Sequence, residues 1–146
     1  MNNSSLYDEK TFYQTFLSDL ERCQNEVIIE SPYITSERMG TFDRIFQKLL
    51  NRGVKIYIFT RDPKEHQEFM EPQSEDAIRW CEEVGIQVLL CLGNHHRKLA
   101  IIDRKVLWEG SLNILSQRYS REIMRRIEDK NTSLQMFHFL SFSKFL

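Results

Sequence analysis

Three short apolar runs, Val27-Ile28-Ile29, Val54–Phe59 and Ile86–Cys91, alternate with three stretches of helical periodicity. That alternation constrains the fold more than any other feature of the chain. Phe12, Phe16, Leu20 and Cys23 recur at helical spacing and predict an amphipathic helix over 8–24. Residues 37–51 read as a second helix through Phe42, Ile45, Phe46, Leu49 and Leu50, with Gly53 as its stop. A polar loop with Pro63 and Pro72 leads to Ser74. Ser74 is expected to cap a third helix that carries Glu75 and Asp76 in its first turn and Ala77, Ile78, Cys81 and Val84 on its apolar side. Gly85 ends that helix. The first strand, Val27 to Ser31, is closed by Pro32. Helix and strand in turn, three times over and followed by a hairpin, argue for an α/β sandwich with a mixed β-sheet flanked by helices. No internal repeat and no Gly-, Ser- or Pro-rich linker interrupts the 146 residues, so residues 1–146 are expected to form a single domain.

The hairpin carries the chemistry. Leu99 to Ile102 predicts a strand that ends at Asp103, and Val106-Leu107-Trp108 predicts its partner. With Arg104-Lys105 as a two-residue turn, Asp103 pairs with Val106, Lys98 lies opposite Ser111 and His96 opposite Asn113. Residues directly opposite share a face, roughly 5 Å apart at Cβ. An imidazole, an ammonium, a hydroxyl and an amide then converge on one patch, the groups needed to hold a phosphate and attack its phosphorus. Neither Arg104 nor Lys105 favours positive φ, and a three-residue turn would shift the register. Asp103 points the other way, where its carboxylate is expected to accept backbone N–H groups of the turn. The register also puts Glu109 on the face of Lys98.

The pattern H-x-K, four residues, D, six residues, G-S-x-N is filled by His96, Lys98, Asp103, Gly110, Ser111 and Asn113. It resembles the HKD signature of the phospholipase D superfamily, and in length and element order the chain is similar to that family's small single-motif bacterial nucleases. The resemblance implies that a strand with an acidic residue follows the G-S-x-N segment. Glu122 is the matching candidate, and it would partner the second ring nitrogen of His96; Glu109 is the alternative. By periodicity alone Ser120 to Ile127 suits strand and helix equally. As a strand it would hold Glu122, Met124 and Arg126 on one face. Thr132 could cap a last helix through about residue 142. The tail places Phe137, Phe139, Phe142 and Phe145 close together, which reads as a helix packed on the sheet, a subunit contact or the edge of a longer parent.

A phosphodiester is anionic, so its cleavage needs charge neutralisation, a nucleophile and a proton for the leaving oxygen. A neutral imidazole is a competent nucleophile near neutral pH. His96 is therefore expected to attack and form a phosphohistidine, with Lys98 and Asn113 on the non-bridging oxygens and Ser111 donating a further hydrogen bond. Gly110 and Asp103 are assigned structural roles. Family members build one site from two copies of the motif. This chain has one: neither His66, His95 nor His138 restarts it. The resemblance therefore implies a homodimer, a His96 from each subunit, and no metal or other cofactor.

Residues 91–130 hold nine basic side chains against five acidic ones, although the whole chain has a formal charge of -1. The overall charge argues against a uniformly basic binder, while the local excess suits an anionic substrate. Arg118, Arg121 and Tyr33 are candidates for contact with a nucleic acid backbone. Three cysteines without a C-x-x-C pair suggest reduced thiols and a cytoplasmic setting. No apolar run suits a membrane span and no signal peptide is visible. The expected partner is nucleic acid, DNA or RNA, cut by a metal-independent endonuclease. The alternatives are a phospholipase D acting on lipid head groups and a non-catalytic nucleic-acid-binding module of a larger helicase or defence system.

Overall fold

The alternating runs become the parallel half of one seven-stranded sheet. The computed structural model describes residues 3–67 and 70–146; the middle of the expected polar loop, residues 68–69, lies outside the described residues. In chain order the elements are β1 (Ser4–Asp8), α1 (Phe12–Glu21), β2 (Glu26–Glu30), α2 (Ser36–Asn51), β3 (Lys55–Arg61), α3 (Glu71–Val84), β4 (Gln87–Cys91), β5 (Leu99–Ile102), β6 (Val106–Gly110), β7 (Ile123–Glu128) and α4 (Lys130–Phe139). Short 3₁₀ turns follow β3 at Pro63–Glu65 and α4 at Phe142–Lys144. The sheet order is β1-β7-β6-β5-β2-β3-β4. Strands β2, β3 and β4 run parallel, and every other pairing is antiparallel.

Alternation within the strands sends side chains to two cores. One face, through Val27, Ile29, Ala100, Ile102, Trp108 and Met124, packs against α1, α2 and α3. The other, through Ile28, Tyr57, Phe59, Leu99, Ile101 and Leu107, is covered by Phe137 and Phe142 of the C-terminal segment. The sheet is thus flanked by helices on both sides, as the alternation predicts. The helix reading of the Phe-rich tail holds for Phe137 and Phe142, while Phe139 remains 81% exposed.

Several boundaries differ from expectation, each for a local reason. The first helix is shorter than 8–24, because residues 4–8 pair with β7 as an edge strand. Cys23 follows that helix instead of lying in it. Ser74 does not cap α3: the helix begins three residues earlier, and buried Ser74 donates its hydroxyl to the Ile34 carbonyl at 3.3 Å. Thr132 does not cap α4 either. Asp129 does, accepting from Thr132 N at 2.9 Å and from its hydroxyl at 2.6 Å. The ambiguous segment after Ser120 is a strand, since β6 offers it an open edge and Met124 faces the Trp108 side of the core.

The hairpin turn has three residues, not two. Ile102 pairs with Val106 and Leu99 with Glu109, one step away from the expected register. Asp103 and Arg104 both adopt positive φ, at 53° and 54°. That conformation is unfavourable for them in isolation, but the turn is tied down by β2. Asp103 N donates to the Glu26 carbonyl at 2.9 Å, and Arg104 makes a two-pronged pair with the Glu26 carboxylate at 2.8 and 3.1 Å. The Arg104 guanidinium also lies 4.1 Å from the Phe137 ring centroid. The Asp103 carboxylate accepts backbone N–H groups, but those of Gln24, Asn25 and Glu26 and not of its own turn.

Candidate active site

Residues 92–98 leave β4 and enter β5 without joining either strand. His96 is exposed and Lys98 half-buried on this segment. The shifted register, continued past Leu99, sets Lys98 beside Gly110 instead of Ser111. It also moves Glu109 opposite Leu99, away from the face of Lys98. His96, Lys98 and Ser111 still meet, at the sheet's end beyond the residues paired between β5 and β6, while Asn113 does not join them.

Lys98 Nζ lies 2.9 Å from His96 Nδ1 and donates to the His96 carbonyl at 2.9 Å. This ammonium is the main reason that the His96 pKa falls below 6.5, with burial, Arg61 and His95 acting in the same direction. Burial lowers the Lys98 pKa, and Glu122 opposes that shift. Ser111 Oγ accepts from Ile123 N at 3.0 Å. The Ser111 hydroxyl, then that of Ser120, holds the Glu122 carboxylate below its ordinary pKa, with Lys98 adding to the effect. Glu122 thus stands on the Lys98–Ser111 side of the site. No hydrogen bond joins it to His96 among the described residues.

Gly110 explains itself by contact. A Cβ there would strike the Ile123 carbonyl oxygen and lie 2.8 Å from Met124 Sδ and 2.9 Å from Met124 Cα. Only glycine lets β7 approach closely enough to bring Glu122 beside Ser111.

His96, Lys98, Gly110 and Ser111 share one open cleft of about 720 Å³. Arg97, Arg125 and the Glu109 carboxylate line its wall, and Leu6, Ile123, Met136, Phe139 and Leu140 make an apolar flank. Sequence reasoning missed that flank because Leu6 of β1, Ile123 of β7 and the C-terminal segment lie far apart in the chain and meet only in the folded sheet.

The other candidates are not on this wall. Asn113 accepts backbone N–H groups from Ser116 and Gln117 at 3.1 and 2.8 Å, and its buried Oδ1 has no partner among the described residues. Tyr33 lies 5.0 Å from the His66 ring, and its hydroxyl accepts from Arg61 at 3.4 Å. Arg118 lies 3.9 Å from Glu37 and beside Tyr119, and Arg121 is exposed. His95 is withdrawn from the cleft to Glu30, 2.9 Å away. Among the described residues, no three His, Cys, Asp or Glu side chains are gathered as a metal ion would need.

Residues 16–139 match the family described as cardiolipin synthase, PLD-like domain. No curated protein matches the chain. Among solved structures, NucT from Helicobacter pylori superposes with a TM-score of 0.69 at 22% identity, covering 93% of this chain and 91% of that one. Nuc from Salmonella typhimurium, a phospholipase D family member, gives 0.73 at 15% identity with the same coverage. Phosphatidylserine synthase of Haemophilus influenzae gives 0.68 at 18%, over 91% of this chain and 36% of that one. At these identities the structures speak for the fold.

Proposed function

Because the chain belongs to the phospholipase D-like family, we propose that it is a metal-independent phosphodiesterase of the cytoplasm that cleaves DNA or RNA internally. The observation that carries this reading is the meeting of a neutral-leaning imidazole, His96, with the Lys98 ammonium on one open cleft. An entering phosphodiester draws Lys98 off the ring and onto its non-bridging oxygens. A ring nitrogen of His96 attacks phosphorus, the bond to the leaving oxygen breaks, and a phosphohistidine forms. Water then attacks that phosphorus, releasing a phosphate monoester and restoring His96. Ser111 supports the anion, and Glu122 balances Lys98 and steadies the charge as the ring changes state.

The leaving oxygen needs a proton, and the chain holds one copy of the motif. We assign that proton to His96 of a second copy of this chain, in a C₂ homodimer. The chain spans 91% of NucT and of Nuc but 36% of the phosphatidylserine synthase, which supports placing it with the small single-motif proteins of the family. Arg125 on the cleft wall suits a polyanion and favours the nucleic acid reading.

The test is cleavage of plasmid and of single strands in EDTA by the purified protein, with His96→Ala as control. Activity that survives the substitution, or that appears only with added magnesium, sinks the proposal. The apolar flank favours a second reading, a lipid whose chains lie along Leu6, Ile123 and Phe139. Head-group release from phospholipid vesicles, without nucleic acid cleavage, would select it. Salt-sensitive DNA binding without turnover by a demonstrated dimer would select the non-catalytic module.

A further inference from the structure

The segment that carries His96 lacks the backbone ladder that fixes most catalytic strands. β4 ends at Cys91 and β5 begins at Leu99. Its entry is held by Glu65, which accepts from Gly93 N at 2.9 Å and Asn94 N at 3.1 Å, and by Arg61, which donates to Asn94 Oδ1 at 2.8 Å. Past Asn94, side chains tie it down.

The tie is a carboxylate with no exposed surface. Glu30 ends β2, pairs with Leu99 across the ladder and is 0% exposed. Its Oε1 accepts from Arg97 Nε at 3.1 Å and Nη2 at 2.9 Å, and lies 2.9 Å from His95 Nε2. His95 and Arg97 are the two chain neighbours of His96. Both flanks of the imidazole are therefore drawn to one buried point while His96 itself stays exposed between them.

As packing alone this choice makes little sense. Val27, Ile28 and Ile29 precede Glu30 in the same strand and are fully buried. A buried carboxylate gives up its hydration, and an apolar residue of similar volume fills space as well without that cost. Glu30 Oε2 is moreover buried without a partner among the described residues. What an apolar residue cannot do is hold the Arg97 guanidinium through charge-assisted hydrogen bonds of fixed geometry and keep the His95 ring 2.9 Å from the same oxygen.

We propose that Glu30 is a positioning residue for the reaction. It aims the His96 imidazole into the cleft by clamping His95 and Arg97. This rests on the reading of His96 as the attacking group, and Glu30 itself touches no substrate.

Glu30→Gln keeps the shape but removes the charge that holds Arg97. Misplacing a reacting group by about 1 Å costs about 100-fold in rate. For Glu30→Gln, kcat should fall by about that factor while KM stays within about threefold. Glu30→Asp, which keeps the charge, should recover about tenfold of the loss. The substrate-free reading is ¹³C–¹H NMR of the His96 ring, sharp and single in the native protein and broadened or split in Glu30→Gln. Unchanged His96 signals overturn the proposal, as does a kcat that falls only in step with the folded fraction seen by circular dichroism. If Glu30→Gln does not fold, the same spectrum is taken on His95→Phe, where unchanged signals again overturn it. A protein that cleaves no nucleic acid yet shows the Glu30-dependent signal loses the proposed function and keeps the positioning.

Discussion

The Lys98 ammonium sits 2.9 Å from Nδ1 of His96 and 2.9 Å from the carbonyl oxygen of the same residue. A ring protonated at both nitrogens has no lone pair for that ammonium, so the contact selects the neutral, nucleophilic form. In the proposed reaction the activating cation and the phosphate-binding cation are one group, used first on the ring and then on the substrate.

Lys98→Gln should therefore raise the His96 pKa, since the largest cause of its depression is removed. A higher pKa leaves less neutral imidazole at any acidic pH. The acid limb of kcat/KM should move to higher pH, and kcat should fall by about 100- to 1,000-fold for loss of the phosphate's cation. An NMR titration of the His96 ring checks the first point. A pKa that stays put, or falls, means that Lys98 does not control the ring.

Gly110→Ala should separate β6 from β7. The new methyl meets the Ile123 carbonyl and the Met124 backbone, which are not flexible side-chain ends. Overpacking of this kind costs about 1–3 kcal/mol, readable by urea unfolding. Glu122 precedes Ile123 and should shift away from Ser111, so its pKa should rise back toward the ordinary value. Wild-type stability with unaltered Glu122 titration would refute the close-approach role.

Asp103→Ala should lower stability and leave the chemistry of the folded protein intact, for the turn lies at the far end of β5 from His96. Burial pushes the Asp103 pKa up, but the N–H groups of Gln24, Asn25 and Glu26, with the Cys23 thiol, bring it below 3.8. A depressed carboxylate adds stability that is complete above its unfolded pKa and is lost as pH falls through the folded one. The variant should be about 2 kcal/mol less stable at pH 7, and its deficit should shrink on acidification below pH ~4. A pH-independent deficit in chemical denaturation would show that the carboxylate's charge is not what matters.

Much of this site was legible before any coordinates. The fixed spacing of His96, Lys98, Gly110 and Ser111 identifies residues that do share a cleft, and Gly110 is the residue that a close backbone approach demands. The periodicities of α1, α2 and α3 and the apolar runs of β2, β3 and β4 give the alternation from which the mixed sheet follows. The local rules failed where a distant partner outweighed a local preference. The spacing allows a two-residue turn at Arg104-Lys105, although neither residue favours positive φ, and Glu26 on the neighbouring strand holds a three-residue one with two left-handed residues. Ser74 and Thr132 look like caps, but buried packing and Asp129 took the helix starts elsewhere.

By itself, then, the sequence determined the types of α1 to α4 and β2 to β6, the helix-flanked mixed sheet and the gathering of His96, Lys98, Gly110 and Ser111, because periodicity and motif spacing are properties of neighbouring residues. Only the tertiary structure decided the register of β5 on β6, the strand identity of β7, the apolar flank from Leu6 to Phe139 and the buried Glu30 beneath His96. Each depends on atoms brought together from positions tens of residues apart, and a carboxylate or a strand edge reveals its partner only once the chain has closed around it.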